Sequence, residues 1–320
     1  MLFQATYAAL TRAAGAIILP LILLFSLPLS AKEVDQTLTW DGSLPVEIEL
    51  PRGQLKLTGN DSNTLHLQGR VDEEASEFLF EVQNQRILLK VVLPEQWHQD
   101  RNQKGASDLQ LSLPRSIALS MESVSTDLVA DNLTLLMVQT VSGDIELSNS
   151  EGQIRLNSIS GDITLNGIKE NLRAESVSGD IRLSQGEGEL TLQSVSGDIE
   201  VRSSEGAVKV ESVSGDVEVQ ASRLTALSGR SVSGDLEVQW QQTQANTILN
   251  LETVSGDMTL RSQTPITIEA QSGPGGEIRN RWSDAKPLIS KYSRSESLSL
   301  SGSGATARLN TVSGTITLAK

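Results

Sequence analysis

Val141-Ser142-Gly143-Asp144-Ile145 is the stretch that decides the fold, because the chain keeps returning to it. It recurs as Ile159-Ser160-Gly161-Asp162-Ile163 and then from Val177, Val195, Val213, Val232 and Val254. A degenerate copy, Val124-Ser125-Thr126-Asp127-Leu128, precedes the series, and Val312-Ser313-Gly314-Thr315-Ile316 follows it. Successive copies from Val141 to Val213 lie 18 residues apart, after which the interval lengthens to 19, 22 and 58. A short fixed period marks a solenoid, in which each repeat is one coil stacked on the last.

Within one coil the apolar residues come in pairs two apart, Ile145 with Leu147 and Ile154 with Leu156, separated by the turn-like Ser148-Asn149-Ser150-Glu151-Gly152. Residues two apart share one face of a strand. Glu146, Gln153 and Arg155 alternate with them, and later coils keep the register: Ile163/Leu165, Ile181/Leu183, Leu190/Leu192, Ile199/Val201, Val208/Val210. The pattern predicts two strands per coil with apolar side chains inward. A single coil cannot bury that face. Coils stacked about 4.8 Å apart pair each strand in parallel with its copies, and seven or so make a rod on the order of 35 Å long.

The Ser-Gly-Asp corner has local reasons. Glycine accepts a positive φ where a strand turns sharply, and Ser and Asp side chains bond the backbone groups freed at a bend. A second glycine recurs at the far corner as Gly152, Gly188 and Gly206.

Residues 1–31 read as a signal peptide: Arg12 is the only charge, an apolar run extends from Ala13 to Leu29, and Leu29-Ser30-Ala31 offers a cleavage point. An uncleaved anchor is the alternative, against which Pro20 and Pro28 weigh. No second apolar run of spanning length follows, so no stable membrane span is expected once the leader is removed. The chain has no Cys, which excludes a lipid-modified cysteine and disulfide stapling. Its net charge of −14 becomes −15 without Arg12. An acidic surface is a poor match for nucleic acid.

The expected organisation is a signal peptide over 1–31, a β-rich N-terminal cap and lead-in over 32–120, solenoid repeats over 121–264, and a C-terminal insertion loop with a closing coil over 265–320. The lead-in alternates at Val46–Leu50, Gln54–Leu57, Thr64–Leu67 and Leu109–Leu113, with Glu95 to Ser107 as a polar loop. Such a cap covers backbone groups that the end of a stack would leave open. Near the other end, Ser272-Gly273-Pro274-Gly275-Gly276 is a loop signal, and Trp282, Pro287 and Tyr292 gather in a chain that is only 3% aromatic. This segment reads as an end closure, with a projecting ligand loop as the alternative.

Little catalytic chemistry is legible. His66 lies in an alternating strand and His98 beside Trp97 in the polar loop, neither with a partner motif. No catalytic residue, cofactor site, phosphate loop or zinc spacing is read. The sharpest constellation is the aspartate column Asp144, Asp162, Asp180, Asp198, Asp216, Asp235 and Asp257. Charges ~5 Å apart in water repel by only about 0.8 kcal/mol, which turn hydrogen bonds offset. A weak cation ladder is the functional alternative. Calcium, however, takes roughly six to eight oxygens and one Asp per coil supplies too few. A polysaccharide lyase or hydrolase would break the repeat with unmatched acidic and basic residues. Glu146, Glu200 and Glu218 instead recur in register, as on a solvated face.

With nine near-copies of the pentapeptide, an export signal and an acidic β-rich lead-in, most of residues 40–320 resembles a bacterial family of candidate adhesins, a domain of unknown function. The resemblance implies a right-handed, β-helix-like solenoid in the cell envelope and offers no catalytic residues to transfer. Thr315 stands at the motif's Asp position and Thr126 at its Gly position, both at the ends of the series. The expectation is an exported, non-enzymatic all-β solenoid, periplasmic or surface-associated, acting as an adhesin-like or scaffold protein toward an envelope protein or polysaccharide. The alternatives are the polysaccharide enzyme and an accessory protein of envelope stress signalling.

Overall fold

Ile163 pairs with Ile145 on one side and Ile181 on the other, and Leu165 with Leu147 and Leu183, all in parallel register. A computed structural model describes residues 32–95, 105–242 and 246–320, and within them the chain is all-β with no α-helix. The leader over 1–31, Trp97 and His98 lie outside the described residues. Among the described residues no helix is long and apolar enough to cross a membrane.

A second ladder runs beside the first, with Ile154 paired to Leu172, Leu172 to Leu190, and Leu190 to Val208. Alternation places Ile154, Leu156, Ile163 and Leu165 in one continuous hydrophobic core, while Arg155 and Thr164 face solvent. Like side chains therefore stack upon like, and the architecture is solenoid-like. The backbone crosses between ladders at two corners, and each corner is itself hydrogen-bonded to the next layer. The Ser160 amide donates to Val141 O at 2.9 Å, and the Ile145 amide donates to Asp162 O at 2.8 Å.

The two glycine columns serve different ends. At the far corner Gly152, Gly188 and Gly206 have φ of +88°, +118° and +98°, the left-handed region that favours glycine. The expected positive φ at the Ser-Gly-Asp corner is not found, because Gly143, Gly161 and Gly179 are not left-handed. There the requirement is proximity: a Cβ on Gly161 would sit 2.0 Å from Gly143 O, and one on Gly179 2.1 Å from Gly161 O.

The stack is longer than the repeat series. Val46–Asn60 lies parallel to Ala118–Asp131, with Val46 opposite Leu119 and Leu55 opposite Leu128. On its other side it pairs in parallel with Arg86–Val92 and Ser107–Pro114. Much of the lead-in therefore forms parallel layers rather than a separate cover. The antiparallel part consists of Lys32–Thr39 on Thr64–Val71, Thr64–Val71 on Ser107–Pro114, and Glu77–Gln83 on Arg86–Val92. These layers lack the pentapeptide because a different device holds their corner. Arg52 is buried and grips Asp72 with two hydrogen bonds, at 2.7 and 3.1 Å, and Glu74 at 2.9 Å.

The other end corrects the expectation of a closing coil. Thr306–Thr311 and Thr315–Ala319 do not finish the stack. They pair with Ile248–Thr253 and Met258–Ser262 on one side, and with Thr267–Ser272 and Glu277–Asn280 on the other. The late copy is inserted between two layers that are earlier in sequence, which accounts for the 58-residue interval. The shift from 18 to 19 has a local cause, an irregular register between Gly206 and Ala207 at the far corner.

Ile181 is fully buried and Asp180 is not. Ile181→Asp is expected to lower stability by about 3–5 kcal/mol by leaving a charge unpaired in the core. Asp180→Asn should stay within about 1 kcal/mol of the parent, and equal losses in denaturant melts would contradict the inward and outward assignment. Glu170, with φ 76°, stands between Gly152 and Gly188 in the far-corner column. Releasing that strain with Glu170→Gly should raise stability by about 0.5–1 kcal/mol in the same melts.

Candidate functional site

The aspartate column forms as a chain of hydrogen bonds. The Asp162 amide donates to Asp144 Oδ1, Asp180 to Asp162, and Asp198 to Asp180, each at 2.9 Å. Asp216, Asp235 and Asp257 continue the series onto Asp198, Asp216 and Asp235 at 2.8, 2.8 and 2.9 Å. It begins at Asp127, which accepts from Asp144, and ends where the Thr315 amide donates to Asp257 Oδ1 at 2.7 Å. Thr315 is thus the recipient at the last step and needs no carboxylate of its own. At the opposite end Thr126, in the glycine position, turns its hydroxyl onto Leu50 O at 2.6 Å. Each carboxylate satisfies a corner amide one layer away, so one oxygen per coil is already engaged. Arg182 spans Asp162 at 3.3 Å and Asp180 at 2.6 Å. Its hydrogen bond to Asp162 and the charges of both carboxylates raise its pKa above the ordinary guanidinium value.

A buried hydroxyl column, which the pentapeptide alone does not include, completes the corner. Ser158, Ser176 and Ser194 each accept the amide of the glycine three residues on, at 2.9 Å. Thr140 and Thr311 do the same for Gly143 and Gly314 at 3.2 and 3.0 Å. A recurrent Ser or Thr just before the motif's first residue is the sequence signal for this column.

The motif's first residue is the second feature missed. Its side chain does not enter the core: the exposed column runs from Val141 at 42% through Ile159, Val177, Val195, Val213, Val232 and Val254 to Val312 at 55%. Two positions before it runs a polar column in strict register, Gln139, Asn157, Glu175, Gln193, Glu211, Arg230 and Glu252. Between the two lies an open trough of about 620 Å³, bounded by Glu122 and Gln139 at one end and Gln193 and Val195 at the other. Asn157 Oδ1 lies buried on its wall with no hydrogen-bond partner among the described residues. Further along, burial opposes ionisation of Glu211, but hydrogen bonds from Lys209 and Gln193 and the charges of Lys209 and Arg230 prevail and hold its carboxyl below the usual range.

His66 Nε2 lies 2.8 Å from Asp35 Oδ1 on an exposed strand pair, with no third group forming a relay among the described residues. Among those residues no cluster of three or more His, Asp or Glu is arranged to hold a metal ion. The aspartates are stacked in one file rather than gathered around a point.

A family model described as Toastrack DUF4097 matches residues 44–280 and 187–319. No curated protein matches the chain in sequence. Among solved structures, similarity is found to a protein from Parabacteroides distasonis described as a lipid-binding candidate, at TM-score 0.42 and 13% identity, over 90% of this chain and 97% of that one. An adhesin candidate from Bacteroides fragilis matches at TM-score 0.39 and 14% identity, over 91% and 98%. Another from Parabacteroides merdae matches at TM-score 0.41 and 8% identity, over 90% and 97%.

The aspartate file makes a direct prediction. If its oxygens serve the corner amides, adding calcium should leave the melting temperature unchanged, and Asp198→Ala should lower stability by about 0.5–1.5 kcal/mol with or without the ion. A calcium-dependent rise that saturates, and that Asp198→Ala abolishes, would assign the file to cation binding instead.

Proposed function

The chain belongs to the Toastrack DUF4097 family, and on that premise we propose that it is an exported, non-enzymatic solenoid of the cell envelope that binds an extended polysaccharide in an adhesin-like or scaffold role. In this reading each coil spans about 18 residues, the separation of successive bonded aspartates, and the wind is right-handed. The leader over 1–31 directs export to the periplasm or the cell surface.

One observation carries the proposal: the trough presents one exposed Val or Ile and one polar side chain per layer, repeated in register. The layers recur every ~4.8 Å, so the surface is a ruler suited to a ligand that also repeats. Sugar chains offer hydroxyl groups alternating with C–H faces. Amides such as Gln139, Asn157 and Gln193 match the hydroxyls, and the Val/Ile file matches the C–H faces. A sugar hydroxyl is a donor of the kind that Asn157 Oδ1 lacks. Hydrolase or lyase chemistry calls for two convergent carboxylates around one bond, whereas Glu122 and Glu175 are separated along the trough by the layers of Gln139 and Asn157.

Val177 and Val195 are about half exposed, so Val177→Asp with Val195→Asp should leave the melting temperature within a few degrees of the parent. Co-sedimentation of the protein with isolated envelope polysaccharide should fall by roughly tenfold or more in the double variant, as expected for losing apolar contact at the centre of a site. No new reducing or unsaturated sugar ends should form. Unchanged sedimentation would refute the trough as the binding face, and new sugar ends would place the protein among the enzymes.

A further inference from the structure

Beyond the edge strand Glu277–Asn280 the chain leaves the stack and returns as a short antiparallel pair. Leu288 lies opposite Ser297 and Ile289 opposite Glu296. The strand Glu296–Leu300 is in turn paired antiparallel to Thr267–Ser272, the outermost parallel layer of its ladder at this end. The turn between them is closed by the Ser290 amide on Ser295 O at 2.9 Å and the Arg294 amide on Ser290 O at 3.1 Å. The pair therefore adds two antiparallel strands beyond the last parallel layer of this ladder, as a structured tip.

Its surface differs from that of the rest of the molecule in two respects. Leu288 is 74% exposed, Ile289 66% and Tyr292 fully exposed, more than any member of the valine column. In the same segment Arg281, Lys286, Lys291 and Arg294 are all exposed, against Asp284 within it and Glu296 opposite Ile289. Along the rod most arginines are neutralised locally, as Arg182, Arg223, Arg261, Arg279 and Arg308 each lie against an Asp or Glu, with Arg155 an exposed exception. None of the four cations of the tip has a carboxylate within ion-pair distance among the described residues. A chain of net charge −14 thus carries, in this one segment, four exposed cations beside three largely exposed apolar or aromatic side chains.

We propose that this tip docks end-on to the surface of an anionic lipid bilayer, with Leu288, Ile289 and Tyr292 entering the headgroup region and Arg281, Lys286, Lys291 and Arg294 resting on lipid phosphates. Both halves of the patch are needed. Tyrosine and aliphatic side chains gain by leaving water at the interface. Lys and Arg are drawn to a negative surface and overcome the repulsion that the acidic rod would otherwise meet. A purely apolar patch would fit the core of a protein interface, whose centre is depleted of charge. Four unpaired cations flanking the apolar residues along the chain match a charged fluid surface instead. The site is separate from the lateral trough and does not depend on what the trough binds.

The test uses the full chain, so that residues 1–31 are common to every sample. Wild type is sedimented with vesicles of phosphatidylcholine, alone or with added phosphatidylglycerol, at low and high salt. It is expected to partition onto the anionic vesicles, and less so as salt rises. Lys286→Glu with Lys291→Glu and Arg294→Glu, and separately Leu288→Ser with Ile289→Ser and Tyr292→Ser, should each weaken that partition by about tenfold or more. The melting temperature should hold in both, since these side chains lie outside the core. A second readout exploits the absence of Cys from the chain. An environment-sensitive dye on Ser293→Cys should shift to the blue on anionic vesicles, while the same dye on Val82→Cys should not. Equal partition of wild type and both variants, equal binding to neutral and anionic vesicles, or no dye shift at position 293 would each overturn the proposal.

Discussion

At every Ser-Gly-Asp corner two backbones approach so closely that a single methyl group would not fit, and the rest of the molecule is arranged around that approach. A Cβ on Gly197, Gly215 or Gly234 would fall 2.0–2.1 Å from the carbonyl oxygen of the glycine beneath it. Because the corner cannot spread, the strands on either side stay at hydrogen-bonding distance. The inward Ile, Leu and Val columns then stack without gaps. The same closeness strips water from the corner amides, so their partners must come from the chain. The hydroxyl of Ser158 or Ser176 takes the glycine amide, and the carboxylate one layer away takes the aspartate amide. Serine, glycine and aspartate are thus three answers to one steric condition, which is why they recur together.

That condition also explains what could be read in the sequence. The alternation Ile145/Leu147 and Ile154/Leu156 was sufficient to give strands, facing and parallel stacking, because burial imposes period two on every layer. Val46–Asn60 and Ser107–Pro114 follow the same alternation but carry no pentapeptide. Their membership in the stack depends on contacts 73 residues apart, such as Asn132 with Gly59, which no local pattern encodes. The glycine column was legible as a column but its cause was not, since a sequence does not distinguish a left-handed φ from a close approach. The exposure of Val177 and its equivalents was hidden for a related reason. At a corner the in–out alternation of a strand lapses, and an apolar residue there reveals nothing of its direction. Of the aspartates, the position was legible and the hydrogen-bonded partner one coil away was not.

The rod separates two kinds of surface. Along its sides each layer repeats the previous one, so any property of a coil, such as Val beside Gln or Glu, becomes a property of the whole length. At its ends the repetition stops and residues are free to differ, as the buried Arg52–Asp72 pair does at one end and Tyr292 with its basic neighbours does at the other. Lateral faces suit ligands with a repeat of their own, and ends suit singular contacts. A stacked protein can therefore carry two unrelated contacts without either disturbing the core that supports both.

The interleaving of the layers bears on how the molecule is assembled. Residues 267–280 are made before residues 306–319, yet the native structure places the later segment between them and the layer of 248–262. At the other end the order is reversed: residues 46–60 are made first and are then flanked by 87–114 on one side and 118–131 on the other. A solenoid whose layers followed sequence order could grow by adding one coil after another. Here the C-terminal end cannot close in that order, because a berth must be kept for residues 306–319 until they arrive, or reopened to admit them. The long sequence separations slow this step relative to growth of the central coils. While it is pending, strand edges stand unpaired and open to a wrong partner. Once seated, the inserted segment is clasped on both sides, so the regions slowest to form are also bolted shut against peeling from the end.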